Sequence, residues 1–283
     1  FMRKRISFIS VLTMFLAIGF VIIFSKPVKA AANGIILKAN RTYTAYDVTG
    51  DGMKDKIRIR AANQTDDETY TSLTVSVNGK TAYRLKNTRF YNVIANIYTL
   101  KNGQPFLYLY APADNGDGPV CALLKYTNGK FRKALDFTEI MAGYGNHRIG
   151  EVTNLNGNKI VITESIVSYS LGINAINFTY KYVNGKFVPT SRYGSYKEIY
   201  SADGSSRYFT VNNDLPAYAR PGATAVNTTL KTGSLTKIIK CALINGKMYI
   251  QLECDGEIYW IKALENPPIA DNERQFMEVR YAG

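Results

Sequence analysis

Three Asn-Gly pairs cut the N-terminal part of this chain into near-equal lengths. They stand in Val75-Ser76-Val77-Asn78-Gly79-Lys80, in Lys125-Tyr126-Thr127-Asn128-Gly129-Lys130-Phe131 and in Lys181-Tyr182-Val183-Asn184-Gly185-Lys186-Phe187, with the asparagines 50 and 56 residues apart. Asn-Gly between short, apolar-alternating runs is the strongest local signal for a two-residue hairpin, because both turn residues must take positive φ. A second mark runs ahead of the first at similar intervals: Asp51-Gly52 before Ile57-Arg58-Ile59, Asn102-Gly103 before Phe106 to Tyr110, and Asn156-Gly157 before Ile160 to Thr163. Between Asn33 and about Thr190 no stretch carries a helical period.

A unit of about fifty residues with about four strands is what a propeller blade looks like in sequence. Each unit is a small antiparallel sheet, apolar on both faces, which only stacked neighbours can bury. Tyr126 opposite Phe131 and Tyr182 opposite Phe187 are expected cross-strand aromatic pairs beside the turns. The fold expected is therefore all-β, a propeller-like stack of about three antiparallel sheet repeats. Three units do not close a ring of blades, so they form either an open stack closed by other segments or a compact barrel or sandwich.

The stretch Asp47-Val48-Thr49-Gly50-Asp51-Gly52-Met53-Lys54-Asp55 places acidic or hydroxyl side chains at alternate positions of a glycine-bearing turn. Calcium takes six to eight hard oxygens, and a glycine at the sixth position permits the sharp turn such a loop needs. Gly52 sits there. The loop resembles those of the FG-GAP or VCBS-type repeats of integrin-alpha-like propellers, over roughly residues 35 to 190. That resemblance implies calcium ligands at Asp47, Thr49, Asp51 and Asp55 through side chains and at Met53 through its carbonyl. Thr49 departs from the family's Asp or Asn, and the second and third units lack the carboxylates, so one structural calcium at the weak end of affinity is expected. The alternative is an Asp-Gly turn capped by its own carboxylates. Asp114-Asn115-Gly116-Asp117-Gly118 fits the spacing poorly and reads as a turn.

Met2-Arg3-Lys4-Arg5, the apolar run from Ile6 to Phe24 and the small residues before Ala30 mark residues 1–30 as an export signal, cut after Ala30 or kept as an anchor. The remainder is expected outside the cell, secreted or surface-associated. Five of the 35 basic residues lie in the signal, leaving 30 basic against 22 acidic residues, or +8. Such a charge draws the chain to anionic wall polymers, or simply keeps a tyrosine-rich sheet protein soluble.

Past the repeat domain (33–190) and a Ser/Tyr/Gly/Arg-rich linker (191–207), the pattern changes. Leu230 to Gly233, Asn245 to Tyr249 and Trp260 to Lys262 resemble the marks of the bacterial Src-homology-3-like wall-binding barrel, with Tyr259 in place of the usual glycine. A small barrel over 208–283 is expected, with a last strand from Arg274 to Tyr281. The aromatics Tyr218, Tyr249, Tyr259 and Trp260 either line a shallow groove for peptidoglycan or glycan or fill the barrel. In the hairpin around Asn245-Gly246, Cys241 falls opposite Ile250 and Cys254 opposite Lys237. That sets them about 13 Å apart along the strand at ~3.3 Å per residue, beyond disulfide reach. All three cysteines are expected to be free.

These features describe an exported, non-catalytic envelope protein that binds wall polymer, peptidoglycan or glycan. It has no specific nucleic-acid partner and meets the membrane only through its N-terminal segment. Two alternatives stand beside it. One is a carbohydrate or wall hydrolase using two of Asp114, Asp117, Glu139 and Glu164, which no spacing brings together. The other is an exoprotein that binds protein partners through exposed strand edges. The only histidine, His147, lies in the loop from Met141 to Arg148 with no partner at a recognisable spacing.

Overall fold

All three repeated Asn-Gly pairs adopt the left-handed backbone that their turns require. The φ angles are 50° and 79° at Asn78-Gly79 and at Asn128-Gly129, and 49° and 87° at Asn184-Gly185. Both central residues at positive φ define the turn whose twist matches the strands on either side. The computed structural model describes residues 35–281, apart from 66, 115–116 and 202–203. The export segment at 1–30 lies outside the described residues.

Each turn closes a four-stranded antiparallel meander. The first comprises β2 (Arg41–Tyr46), β3 (Asp55–Gln64), β4 (Tyr70–Val77) and β5 (Lys80–Phe90). In the second, β6 (Ile94–Thr99), β7 (Pro105–Ala111), β8 (Val120–Thr127) and β9 (Lys130–Asp136) pair in order, and the N-terminal β1 (Ile35–Leu37) is added beside β6. The third is β10 (Gly145–Asn156), β11 (Lys159–Ser168), β12 (Gly172–Val183) and β13 (Lys186–Pro189). The earlier marks Asp51-Gly52, Asn102-Gly103 and Asn156-Gly157 each join the first two strands of a meander. Tyr126 pairs with Phe131 and Tyr182 with Phe187, each with ring centroids 5.3 Å apart.

The meanders bury one another. The middle sheet turns Ala95, Ile97, Leu107, Leu109 and Leu124 toward Ile57, Ile59, Leu73 and Val75 of the first. Its other face sets Tyr98, Phe106, Tyr108 and Leu123 against Ile160, Ile162, Ile176 and Phe178 of the third. Burying each such side chain contributes about 1.5–3 kcal/mol. The middle sheet, wet on neither face, therefore depends on both neighbours.

The third meander does not end at a linker. Residues expected to connect two domains form β14 (Tyr193–Ser201), a nine-residue strand that pairs with β12 on one side and β19 (Leu235–Ile244) on the other. The sheet continues through β20 (Lys247–Cys254) and β21 (Glu257–Lys262), with β15 (Gly204–Ser205) and β16 (Tyr208–Thr210) paired at its margins. β17 (Leu215–Ala217) and β18 (Thr228–Leu230) form a separate ladder, bridged to β21 by Tyr218 and Trp260. The structure is thus all-β, built of antiparallel sheets, none of which closes on itself. Phe209, Ile238, Cys241, Ile250 and Phe276 share one core with the third meander.

Two local expectations change. Residues 274–281 make no strand; they join the fold through the isolated bridges Val211 to Phe276 and Ser201 to Val279, through single hydrogen bonds such as Met277 to Thr210, and through the burial of Phe276 and Val279 in the core. The hairpin register holds from Ile244–Lys247 to Lys240–Gln251, with Cys241 opposite Ile250. A bulge between Ile238 and Lys240 then slips it by one residue, so Cys254 faces Thr236 rather than Lys237. A one-residue slip swaps faces: Ile238 is buried and Ile239 only half-buried. All three cysteines are free and buried.

Candidate functional site: a closed acidic loop and a cation–aromatic strip

The 47–55 loop closes on hydrogen bonds of its own. Asp55, 1 % exposed, accepts from the Val48 and Thr49 amides at 2.7 and 2.9 Å through Oδ2. Its Oδ1 accepts from Asn78 Nδ2 at 2.6 Å and from the Thr49 hydroxyl at 3.3 Å. Asn78 Oδ1 in turn accepts the Lys56 amide at 2.8 Å, so one carboxylate ties the β2–β3 loop to the β4–β5 turn. Asp47 accepts from the amides of Gly50, Asp51 and Gly52 and from the Thr49 hydroxyl. Burial works to raise its pKa, but the Gly50 and Gly52 amides and their neighbours outweigh it and hold the carboxyl below its usual value.

As a calcium site the loop fits in part. Oxygens of Asp47, Thr49 and Asp55 converge, with the Thr49 hydroxyl 3.2 and 3.3 Å from the two carboxylates. Asp51 is turned back onto the Met53 amide at 2.8 Å, and Met53 is exposed. Among the described residues no group of three or more His, Cys, Asp or Glu is placed to hold a metal.

The four aromatics expected to line a groove divide between two faces of the C-terminal sheet. Tyr218, Tyr249 and Trp260 are buried together around Ala242, on the face away from the main core. Tyr259 is on the other face, packed against that core. The exposed ring of the strip is one the sequence reading missed. Tyr193 of β14, 38 % exposed, lies opposite Ala242 of β19 and tilts against Trp260 with centroids 5.9 Å apart. Lys240 Nζ stands 4.7 Å from the Tyr193 ring and 6.0 Å from Trp260; Arg192 lies 5.4 Å from Tyr193, and Lys262 lies 5.1 Å from Tyr218. None of these three cations enters an ion pair among the described residues. Alternation along β19 and β20 gives the outward face of Lys240, Tyr249 and Gln251. Tyr193 had no such signal, because its strand is recognisable only by its two neighbours.

The carboxyls considered for hydrolysis stay apart. Asp117 lies 3.3 Å from His147 Nδ1, in a shallow cleft of about 270 Å³ also lined by Thr138, Asn146 and Arg148. Glu139 lines a different depression, beside Lys133 and Lys186. Asp114 accepts from the Tyr91 hydroxyl. Glu164 is fully buried, and among the described residues neither carboxyl oxygen has a hydrogen-bond partner.

Desolvation pushes the Glu164 carboxyl well above its usual range, against the pull of Arg148 and with the push of Asp136. A carboxyl raised in the folded state contributes its full stability below its unfolded pKa and loses it as pH rises through the folded value. Stability is therefore expected to fall as pH climbs above the ordinary carboxylate range, and Glu164→Gln should flatten that decline. Urea midpoints across the range check this; parallel slopes for variant and wild type would refute it.

Compared with known proteins, the chain matches no family model, no curated protein and no solved structure.

Proposed function

We propose that this is a non-catalytic protein of the cell envelope, exported by its N-terminal segment, that binds an anionic glycan of the wall through the cation–aromatic strip. The observation that carries the reading is the placing of Arg192 and Lys240, unpaired among the described residues, over the exposed ring of Tyr193, with Lys262 over buried Tyr218 on the same face. A sugar ring stacks on the Tyr193 face, while Arg192 and Lys240 meet carboxylates of the same polymer. Cations held over aromatic faces are positioned before any ligand arrives, which lowers the ordering cost of binding. In this reading the meanders are a propeller-like stack of the calcium-loop repeat type. The strands from β16 to β21 are an open, Src-homology-3-like unit, and its outer face, extended by Arg192 and Tyr193 at the start of β14, carries the strip.

Purified cell wall is expected to retain the protein, and the pair Tyr193→Ala with Lys240→Ser should weaken retention about tenfold, the value of ~1.4 kcal/mol. Equal retention of variant and wild type would remove the strip from the proposal. The same proposal gives the 47–55 loop a weak structural calcium held by Asp47, Thr49 and Asp55. A thermal midpoint raised by millimolar calcium and restored by chelator supports that ion; an unmoved midpoint rejects it.

A further inference from the structure

The solvent face of the first meander is a basic platform. In β3 the alternation puts Ile57, Ile59 and Ala61 inside and Lys56, Arg58 and Arg60 outside. Pairing carries the outer face across the sheet. Arg60 lies opposite Thr74, and Thr74 opposite Arg84. The next row runs from Arg58 through Ser76 to Thr81, and a third sets Ser72 beside Lys86. All five cations are exposed, and no acidic residue stands in these rows. Among the described residues none of the five enters an ion pair; the pair on this meander, Arg89 with Asp67, stands at its far end. Lys130, from β9, adds a further cation at the margin, with its Nζ 3.0 Å from the Thr81 carbonyl.

The spacing is regular. Successive outward residues of β3 are ~6.6 Å apart, and Arg60 and Arg84, two strands apart, are separated by ~9.6 Å. Like charges so placed repel, and no acidic side chain among the described residues pairs with them. The residues between them are short hydroxyls, which leave the guanidinium groups reachable and add donors. A guanidinium presents paired N–H groups that match the two free oxygens of a phosphodiester. The exposed large apolar side chains of this region, Met53 and Tyr91, lie in the loop before β3 and just after β5, not in the rows. The face therefore has no ring on which a base could stack and no wedge to enter a bilayer.

We propose that this face is a second binding site, for a linear phosphodiester polymer of the polyol-phosphate type, whose successive charges meet Lys56, Arg58 and Arg60 along β3. It takes from the preceding section only the placement outside the cell and does not depend on the strip. The test uses the full chain and deacylated poly(glycerol phosphate), with affinity measured over a range of salt. The triple change Arg58→Ser, Arg60→Ser and Arg84→Ser should weaken binding at least about tenfold. It should also reduce the slope of log K against log salt by about 2, the release expected from three neutralised phosphates at ~0.7 each. The control Lys159→Ser, Lys181→Ser and Lys237→Ser removes the same charge elsewhere and should cost less than about threefold. Unchanged circular dichroism and urea midpoint show that the arginine variant is folded. Equal losses in both triple variants would reduce the effect to net charge and overturn the site. So would loss of binding in the Tyr193→Ala, Lys240→Ser pair, which would place the polymer on the strip. Tighter binding of an oligothymidylate or of anionic vesicles, with the same dependence on the arginines, would overturn the ligand class.

Discussion

Asp55→Ala is expected to lower the thermal midpoint by roughly 10 °C, from a loss of about 4 kcal/mol. The carboxylate is buried and receives four donors, two of them backbone amides. Truncation leaves those amides without an acceptor in a space that admits little water, and each such buried group costs about 1–3 kcal/mol. The loss reaches beyond the loop. Asn78 is held at a φ of 50° in the β4–β5 turn and is oriented by Asp55 on one side and by the Lys56 amide on the other. Asp51→Ala is the internal comparison, because that exposed residue receives only the Met53 amide. It should cost below about 1 kcal/mol. Both values come from urea unfolding, with and without calcium. Should the two variants prove equally stable, Asp55 does not pin the loop. Should the cost of Asp55→Ala vanish in chelator, an ion rather than the hydrogen bonds closes it.

The sequence made the repeated part of this fold readable because its turns are written in backbone chemistry. Asn-Gly at positive φ needs no tertiary context, and it fixed the last hairpin of all three meanders. The period-2 alternation of β3, with Ile57 and Ile59 inside and Arg58 and Arg60 outside, is equally local. Strand β14 lacks both signals. Its inward residues include Gly194 and Ser201, too small and too polar to announce a core, and β12 and β19 supply its identity by pairing on either side. The bulge at Ile239 was hidden for a related reason. The alternation of Ile239, Cys241 and Leu243 suits an unbroken ladder, and Phe209 and Ile238 fill the core instead. The candidate strip followed the same division. The alternation of β19 and β20 by itself puts Lys240 and Tyr249 on one face, whereas the approach of Tyr193 to Trp260 depends on β14. Tyr259 went to the other face because residues adjacent in a strand must alternate.

Gly150→Ala should be strongly destabilising for the addition of a single methyl, by about 4–5 kcal/mol. Gly150 lies on β10 opposite Glu164, under the ring of Phe137, and both of those side chains are fully buried. A Cβ built at this position overlaps two carbons of the Phe137 ring and stands 2.5 Å from Glu164 Oε2. The backbone cannot retreat freely. The Gly150 carbonyl accepts from the Tyr108 hydroxyl at 2.8 Å and from Cys121 Sγ at 3.4 Å, contacts that join the second meander to the third. Relief must come from the ring, and Phe137 is held there, fully buried and edge-on against Tyr108 with centroids 5.8 Å apart. A second substitution separates this clash from a general intolerance of β10 to change. Phe137→Leu alone leaves a small cavity and should cost about 1–2 kcal/mol. Added to Gly150→Ala it should instead recover stability, giving a coupling of at least about 2 kcal/mol in a double-mutant cycle. Additive losses in the cycle would mean that the methyl is resisted by the Glu164 side or by the strand itself. Glu164→Ala in the Gly150→Ala background would then be the variant that recovers stability, and the close approach of the two sheets would rest on the carboxyl rather than on the ring.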